Sequence, residues 1–460
     1  MEKAFTVNLV SYIPILKNAG IRFKEDEKTL MIGKPTAKAG YVIIVSSRTL
    51  DTPIQLTRIL PILKESKAAY RIIKDQHFQY RLNAGAFGDE EAGKVLIIFP
   101  SNIDEAKRLI NQIVPKTQGS KGPVVMNSQQ ISDVVFIQKI TASGNGDLIL
   151  EKPGIKQFPF AVDKTYREKK KLFGLIGRYY LPVQLLRSNS KGAIYKAINL
   201  KRFAFNWCII KEGRPVALDD HFDRDMKDRL HWQENVHRSL VGKVYTPNVI
   251  DFFSRKGYHY LVMNFAEGIS YGEFVRNELS GKRWTELNTI KKAELLGYFI
   301  QAVELVENVH NAGFVHRDVT DGNFIILDDG QLCIIDFELS YHVQNGEPNP
   351  PFLLGTFGYV APEQINHAVP HFKEDIYSLG ALLCFTLTGC KTWEYITPNL
   401  HQVRAKTMRL TNEHELTDII IKCLSNSRAD RPKIGELLVG VKRIYLQQKN
   451  QTDEKIPMAV

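Results

Sequence analysis

The residues best able to do chemistry stand close together in the second half of the chain. His316-Arg317-Asp318-Val319-Thr320-Asp321-Gly322-Asn323 is followed 13 residues later by Asp336-Phe337-Glu338. Phosphoryl transfer from a nucleotide needs little covalent help from a protein. It needs metal ions bridging the phosphates and a carboxylate that holds the attacking hydroxyl in line. The Asp-x4-Asn spacing places such a carboxylate near the nucleophile and an amide where it can ligate a metal. A second aspartate, Asp336, closes a short hairpin expected over Phe324–Leu327, the turn Asp328-Asp329-Gly330, and Leu332–Ile335. Magnesium prefers hard oxygen ligands of this kind and keeps waters beside the phosphates. His-Arg-Asp alone is a weak string. Joined to the asparagine five residues past the aspartate and to a downstream aspartate at a strand end, it becomes a specific one.

The rest of the chain must position these groups. Its 460 residues, 44% hydrophobic and 24% charged, allow about two to four domains, each large enough to bury a core. The 24 phenylalanines and 18 tyrosines exclude a mainly disordered chain. The longest apolar stretch, Leu379 to Cys390, falls short of the roughly 18–20 residues of a membrane span, so none is expected. The N-terminus has one early lysine and an apolar run broken by Pro14, with no cleavage signature, which argues against a signal peptide. Cys208, Cys333, Cys384, Cys390 and Cys423 form no CxxC pair. They read as reduced thiols in a cytoplasmic protein, without a disulfide framework or zinc site.

Charge divides the chain. Residues 1–179 hold 28 lysines and arginines against 17 acidic residues, a net of +11, whereas the remainder holds 33 of each. The basic excess attracts anions in general or simply aids solubility; a count does not choose between them. Tyr41–Ser46 and Lys94–Phe99 read as strands, bounded by Gly40, Gly93 and Pro100. Ser101 to Ile113 reads as an amphipathic helix with Ser101 as N-cap, Asp104 and Glu105 in its first turns, and Pro115 as its stop. These features predict a small α+β domain over residues 1–162. A basic stretch follows (163–179), with Lys164, Arg167, Lys169, Lys170, Lys171 and Arg178, and reads as a solvated linker helix in preference to a nucleic-acid patch. From Tyr180 short strands run to Val262 and helical patterns then dominate to Tyr445, predicting a β-rich lobe over 180–268, a helical lobe over 269–446 and a polar tail over 447–460.

The ordered motifs resemble the protein-kinase family. Gly355-Thr356-Phe357-Gly358-Tyr359-Val360-Ala361-Pro362-Glu363 is similar to the end of an activation segment. Asp375-Ile376-Tyr377-Ser378-Leu379-Gly380 is similar to the buried helix that anchors the catalytic loop, and Arg428-Ala429-Asp430-Arg431-Pro432 to the late arginine that pairs with Glu363. The resemblance implies a bilobal kinase fold, ATP and Mg2+ as cofactors, and a peptide or protein substrate with Ser/Thr acceptors. It implies Asp318 as the residue that orients the hydroxyl and takes its proton. Lys211 in Phe205–Lys211 would grip phosphate, with Glu234 as its ion-pair partner, and Asn323 and Asp336 would hold the metals. Gly192 and Ile194 would lie over the nucleotide, and Asn264 and Ala266, after the gatekeeper Met263, would meet adenine.

The departures carry information too. Aligning Leu186–Tyr195 on the glycine-rich loop leaves only Gly192; Arg187 and Asn189 stand at the first two glycine positions. Glu338 replaces the glycine after Asp-Phe, and Thr320 replaces the lysine two residues beyond the catalytic aspartate. Between Asp336 and Glu363 the only aliphatic hydroxyls are Ser340 and Thr356, so activation by loop phosphorylation is not expected, although Arg317 could accept a phosphate. Two rival readings keep the fold and change the job: a pseudokinase scaffold that binds a leader peptide, and a small-molecule phosphotransferase of the aminoglycoside type. The segment from Gly355 to Glu363 favours a polypeptide substrate over the latter.

The first domain narrows the resemblance. Tyr70–Asp75, Gly93–Pro100 and Gly122–Ser128 resemble the lyase region of class III lanthipeptide synthetases, which join lyase, kinase and cyclase in one chain. The Asp-Phe-Glu triplet and the missing lysine fit the same family. The likeness implies phosphorylation of a ribosomal natural-product precursor, with a separate cyclase or other modifying enzyme as partner, since no cyclase segment or Cys/His zinc set follows the kinase-like part. Val42 and Ile44 occupy positions where the family strand carries a lysine and a histidine. Elimination needs a base for the α-proton and cations for the leaving phosphate. Arg71, Lys74, His77, Arg81 and Lys94 are the candidates, and the expectation is a peptide-binding domain in which elimination is lost or nearly lost.

Overall fold

A computed structural model describes residues 9–35, 39–142, 148–151, 159–160, 174–203 and 205–453. Two compact units emerge: Val7–Leu230 with Asp251–Val262, and residues 231–250 with the chain from Met263 onward.

The first unit begins with an antiparallel sheet of eight strands, β1 (Lys24–Glu25), β2 (Thr29–Ile32), β3 (Ala39–Val45), β4 (Ala69–Ile73), β5 (Leu96–Phe99), β6 (Gln129–Gln130), β7 (Val135–Ala142) and β8 (Leu148–Glu151). They lie in the order β1-β2-β4-β5-β3-β7-β6, with β8 also on β7. Central β3 shows why the sequence chooses a strand. Its period of two sends Ile43 and Val45 to a core shared with Leu56, Ile59, Leu63, Leu109 and Ile113, while Val42 and Ile44 meet Ile97, Val125, Phe136 and Ile140 on the other face. Full burial of each such side chain contributes about 1.5–3 kcal/mol. The helices on the first face are α1 (Ile13–Asn18), α2 (Thr52–Ser66) and α4 (Ile103–Lys116), while α3 (Gln76–Asn83) links β4 to β5.

Helix α4 starts one residue later than expected. Asn102, not Ser101, is the N-cap, and its Oδ1 accepts the Glu105 N–H at 2.9 Å. Ser101 is engaged elsewhere, its N–H and hydroxyl both donating to Glu105 Oε2 at 2.6 Å. Pro115 sits inside the last turn, and the helix reaches Lys116. Of the expected basic linker, Lys164, Arg167, Lys169, Lys170 and Lys171 lie outside the described residues.

A second antiparallel sheet follows: β9 (Tyr180–Ser188), β10 (Gly192–Asn199), β11 (Asn206–Gly213), β12 (Val249–Arg255) and β13 (Tyr258–Asn264), in the order β12-β13-β11-β10-β9. Within the first unit this sheet and its following loop are bonded to the N-terminal domain. The buried Asp219 carboxylate accepts the Thr49 N–H at 2.6 Å and an Asn83 Nδ2–H at 2.8 Å, and Ser190 Oγ donates to Asp89 Oδ1 at 2.9 Å. Burial pushes the Asp219 carboxyl up to about 6 against those hydrogen bonds. Beside it, a cavity of about 490 Å³ is lined by Arg48, Lys121, Asp219, Asp223 and Arg224 among others.

The second unit is mainly helical. Helix α5 (Met226–Leu240) enters it, and α6 (Tyr271–Leu279), α7 (Thr289–Asn311), α8 (Pro362–Ile365) and α9 (Lys373–Thr388) follow. Helix α7 contributes Leu296, Phe299, Val303 and Val306 to the core, and α9 is buried from Glu374 to Leu387. Short strands complete the unit: β14 (Gly268–Ser270), β15 (Phe314–Val315), β16 (Phe324–Leu327), β17 (Leu332–Ile334) and β18 (Tyr341–His342). The expected hairpin is β16–β17, with Phe324 opposite Ile334. The last helix, Ile434–Asp453, runs on past residue 446 through Gln447, Gln448 and Lys449, all good helix formers. Among the described residues no helix is long and apolar enough to cross a membrane.

Candidate active site

The loop from His316 to Asn323 is hung on Asp375 in the first turn of buried α9. Asp375 Oδ2 accepts the His316 N–H at 2.8 Å and faces His310 Nε2 at 2.8 Å, while Oδ1 accepts the Arg317 N–H at 2.8 Å. Burial would raise this carboxyl, yet the bonds from His310 and His316 hold it below its ordinary value. His316 Nδ1 accepts the Asp318 N–H at 3.2 Å, so its proton is on Nε2, which donates to the Ile335 carbonyl at 3.2 Å. One imidazole therefore ties the loop to the end of the hairpin. Arg317 and Asp336 both adopt left-handed backbone angles, at φ +67° and +66°. Strain of this sort persists only where surrounding contacts enforce it.

Those contacts converge on Asp318. Asn323 Nδ2 donates to the Asp318 carbonyl at 2.8 Å and to its Oδ2 at 3.0 Å. Thr356 donates to Oδ1 from its N–H at 3.1 Å and its hydroxyl at 2.8 Å. Burial raises the Asp318 carboxyl, the Thr356 bond opposes it, and the nearby Asp336 charge raises it further. Phe337, fully buried, sits against His316 and His237 with ring centroids 4.8 and 5.0 Å away. Asp318, Asn323 and Asp336 are thus gathered by one loop and one hairpin. With its amide nitrogen turned to Asp318, Asn323 has Oδ1 left as an oxygen ligand, and Asp336 offers a carboxylate. That all-oxygen pair fits magnesium, whose remaining ligands are phosphates and water. Among the described residues no cluster of three or more His, Cys, Asp or Glu side chains could hold a metal by itself.

The other expected residues fall on separate elements. Lys211 lies on β11 directly opposite Ile194 on β10, and Gly192 faces Gly213. A Cβ on Gly192 would stand 1.7 Å from the Glu212 carbonyl oxygen, so only glycine fits there. The preceding turn is closed by Asn189, whose Oδ1 accepts the Lys191 and Gly192 N–H groups at 3.0 and 3.2 Å. An asparagine side chain thereby does locally what the missing glycines would leave to a flexible backbone. Asn264 and Ala266 line a cavity of about 420 Å³ with Asn248 and Asp328. Glu234 is one step off the buried stripe of α5, which is Gln233, Val236, His237 and Leu240; its carboxylate takes Arg238 Nη2 at 2.8 Å and faces His231 Nδ1 at 3.3 Å.

The segment after the hairpin ends on a buried ion pair. Arg431 Nη1 and Nη2 reach Glu363 Oε1 and Oε2 at 2.5 and 2.7 Å, with both side chains fully buried. Gln364 Nε2 donates to the Arg317 and Leu354 carbonyls at 3.0 and 2.8 Å, joining this end to the catalytic loop.

In the N-terminal domain the candidate phosphate-binding cations already have carboxylate or aromatic partners. Glu91 takes Lys94 at 2.9 Å and Arg71 at 3.4 Å, and Glu25 takes Lys74 at 2.9 Å. Arg81 lies over the Phe87 ring and His77 against Phe78. Val42 and Ile44, where the resembled family has a lysine and a histidine, are fully buried among apolar side chains.

Fold and loop geometry together are those of a protein kinase, and residues 213–440 match the protein kinase domain. Residues 21–138 match the RamC N-terminal domain, so the chain joins a domain of that type to a protein kinase domain. Gly192, Ile194 and Lys211 precede the kinase match, which contains the other expected site residues. Among curated relatives, a probable SapB synthase of Streptomyces coelicolor is 21% identical over 350 residues, covering 70% of this chain and 37% of that protein. Serine/threonine-protein kinase C of Synechocystis is 27% identical over 232 residues, 48% of this chain and 41% of the relative. The dual specificity protein kinase Ttk of Danio rerio is 23% identical over 347 residues, 71% and 31% respectively. The chain spans less than half the length of each.

Proposed function

We propose that this protein is a Mg2+- and ATP-dependent kinase that phosphorylates Ser/Thr residues of a peptide, a ribosomal natural-product precursor of the lanthipeptide type. The observation that carries this reading is the Asp318 carboxylate held by Asn323 and Thr356 beside Asp336. Asp318 orients the acceptor hydroxyl and takes its proton. Asn323 and Asp336 hold magnesium, which neutralises charge on the transferred phosphoryl group. Lys211 grips the nucleotide phosphates, Gly192 and Ile194 cover them, and Asn264 and Ala266 meet the base. The peptide assignment rests on the intact segment from Gly355 to Glu363 and on the likeness to the SapB synthase.

The N-terminal domain binds peptide, with elimination of phosphate lost or nearly lost. The carboxylate partners of Arg71, Lys74 and Lys94 and the apolar burial of Val42 and Ile44 support that reading. A cyclase or other modifying activity would then act on the product. Mass spectrometry of co-expressed precursor peptides tests the proposal: gain of phosphoryl groups is expected, and net loss of water would overturn the view of the N-terminal domain. Peptides left unmodified, together with no Mg·ATP-dependent thermal shift, would favour a scaffold instead.

A further inference from the structure

Arg317 follows the loop histidine and is almost fully buried, as is Glu374. Its Nε donates to Glu374 Oε2 at 3.0 Å, and its Nη1 donates to the carbonyls of Leu339 at 3.3 Å and Phe352 at 2.8 Å. Those two carbonyls belong to the segment between the metal-binding aspartate and Thr356. A single guanidinium therefore clamps that segment at two points, with its charge balanced by a carboxylate 57 residues away in α9. Glu374 is itself fixed, since its Oε1 accepts the His371 N–H at 3.2 Å.

Kinase segments of this kind are commonly ordered by a phosphorylated side chain that pairs with arginine. Here every hydroxyl of the segment is occupied or enclosed. Ser340 is buried and donates to the His316 carbonyl at 3.4 Å, Thr356 donates to Asp318, and Tyr341 and Tyr359 are buried. We propose that the Arg317–Glu374 pair takes the place of an activation-segment phosphate, making Glu374 a positioning residue and the kinase active without phosphorylation of that segment. This rests on the kinase reading above, and a charge-assisted bond between buried partners is strong enough for the task.

Two measurements on the full chain test it. Phosphatase-treated protein, shown by intact mass to carry no phosphate, is expected to keep full kcat; inactivity restored on rephosphorylation overturns the proposal. In Glu374→Gln, which preserves shape, kcat is expected to fall about a hundredfold with KM for ATP unchanged, and Glu374→Asp to recover part of the loss. Hydrogen exchange reads the clamp whether or not turnover is found: amides of 339–352 lose protection in Glu374→Gln while those of α7 do not. Unchanged protection there, or wild-type kcat in the variant, refutes the assignment.

Discussion

Asn323 donates two hydrogen bonds from one amide nitrogen to Asp318, one to its backbone carbonyl and one to its carboxylate. The pair fixes the loop and aims the asparagine oxygen away from the aspartate in one arrangement. The catalytic-loop spacing of the sequence thus has a direct structural meaning: five residues of loop return the amide onto the carboxylate that opened it.

Removing the carboxylate isolates chemistry from folding. Asp318→Asn keeps the size of the side chain and is expected to lower kcat about a thousandfold, in the range of a lost general base, with the unfolding temperature close to that of the parent. Single-turnover phosphorylation and calorimetry on the same preparation check both halves.

The pH dependence follows from the same group. Asp318 acts as its carboxylate, and burial with the Asp336 charge raises its pKa, so kcat rises with pH along an acidic limb displaced toward neutrality. Thr356 opposes that shift, and in Thr356→Val the limb moves to still higher pH. An unmoved limb in this variant would contradict the assignment of Asp318 as base.

The Glu363–Arg431 pair is a matter of stability. Glu363→Ala leaves a buried guanidinium uncompensated and is expected to cost about 3–5 kcal/mol, read as a lower denaturant midpoint. Replacing both partners by apolar residues of similar volume should recover much of that loss.

Asp219 gives a prediction of the opposite sign to a salt-bridged carboxylate. Its folded pKa, about 6, lies above its ordinary value, so its contribution is present at low pH and is lost as pH rises through 6. Relative to Asp219→Asn, the parent protein should lose stability between about pH 4 and pH 7, which unfolding curves at fixed denaturant steps would show. A pH-independent difference would mean that the carboxyl titrates normally.

The loop that ties Asn323 to Asp318, and several elements of the fold, were legible in the sequence because their signals are local. The hairpin before Asp336 and the strands around Ile43 and Ile97 come from short patterns with one physical solution, whereas the Glu363–Arg431 pairing is implied by the resemblance to kinases and not by any local pattern. Misplaced features depended on competition between neighbours. Ser101 is as good a cap as Asn102, and only the demand of Glu105 for two donors decides which is used. Glu234, expected as the cation partner of Lys211, lies beside the buried Gln233 on α5 and also bonds Arg238 and His231. The partnership of Glu374 with Arg317 is not legible in the sequence, because the two are 57 residues apart and no local pattern joins them.

The most direct test of the account is phosphate transfer itself. Purified protein with Mg·ATP and a Ser/Thr-rich precursor peptide should add phosphoryl groups to that peptide, and Asp336→Ala, folded to the same degree, should add none at detectable rates. Equal labelling by the parent and by Asp336→Ala would contradict it.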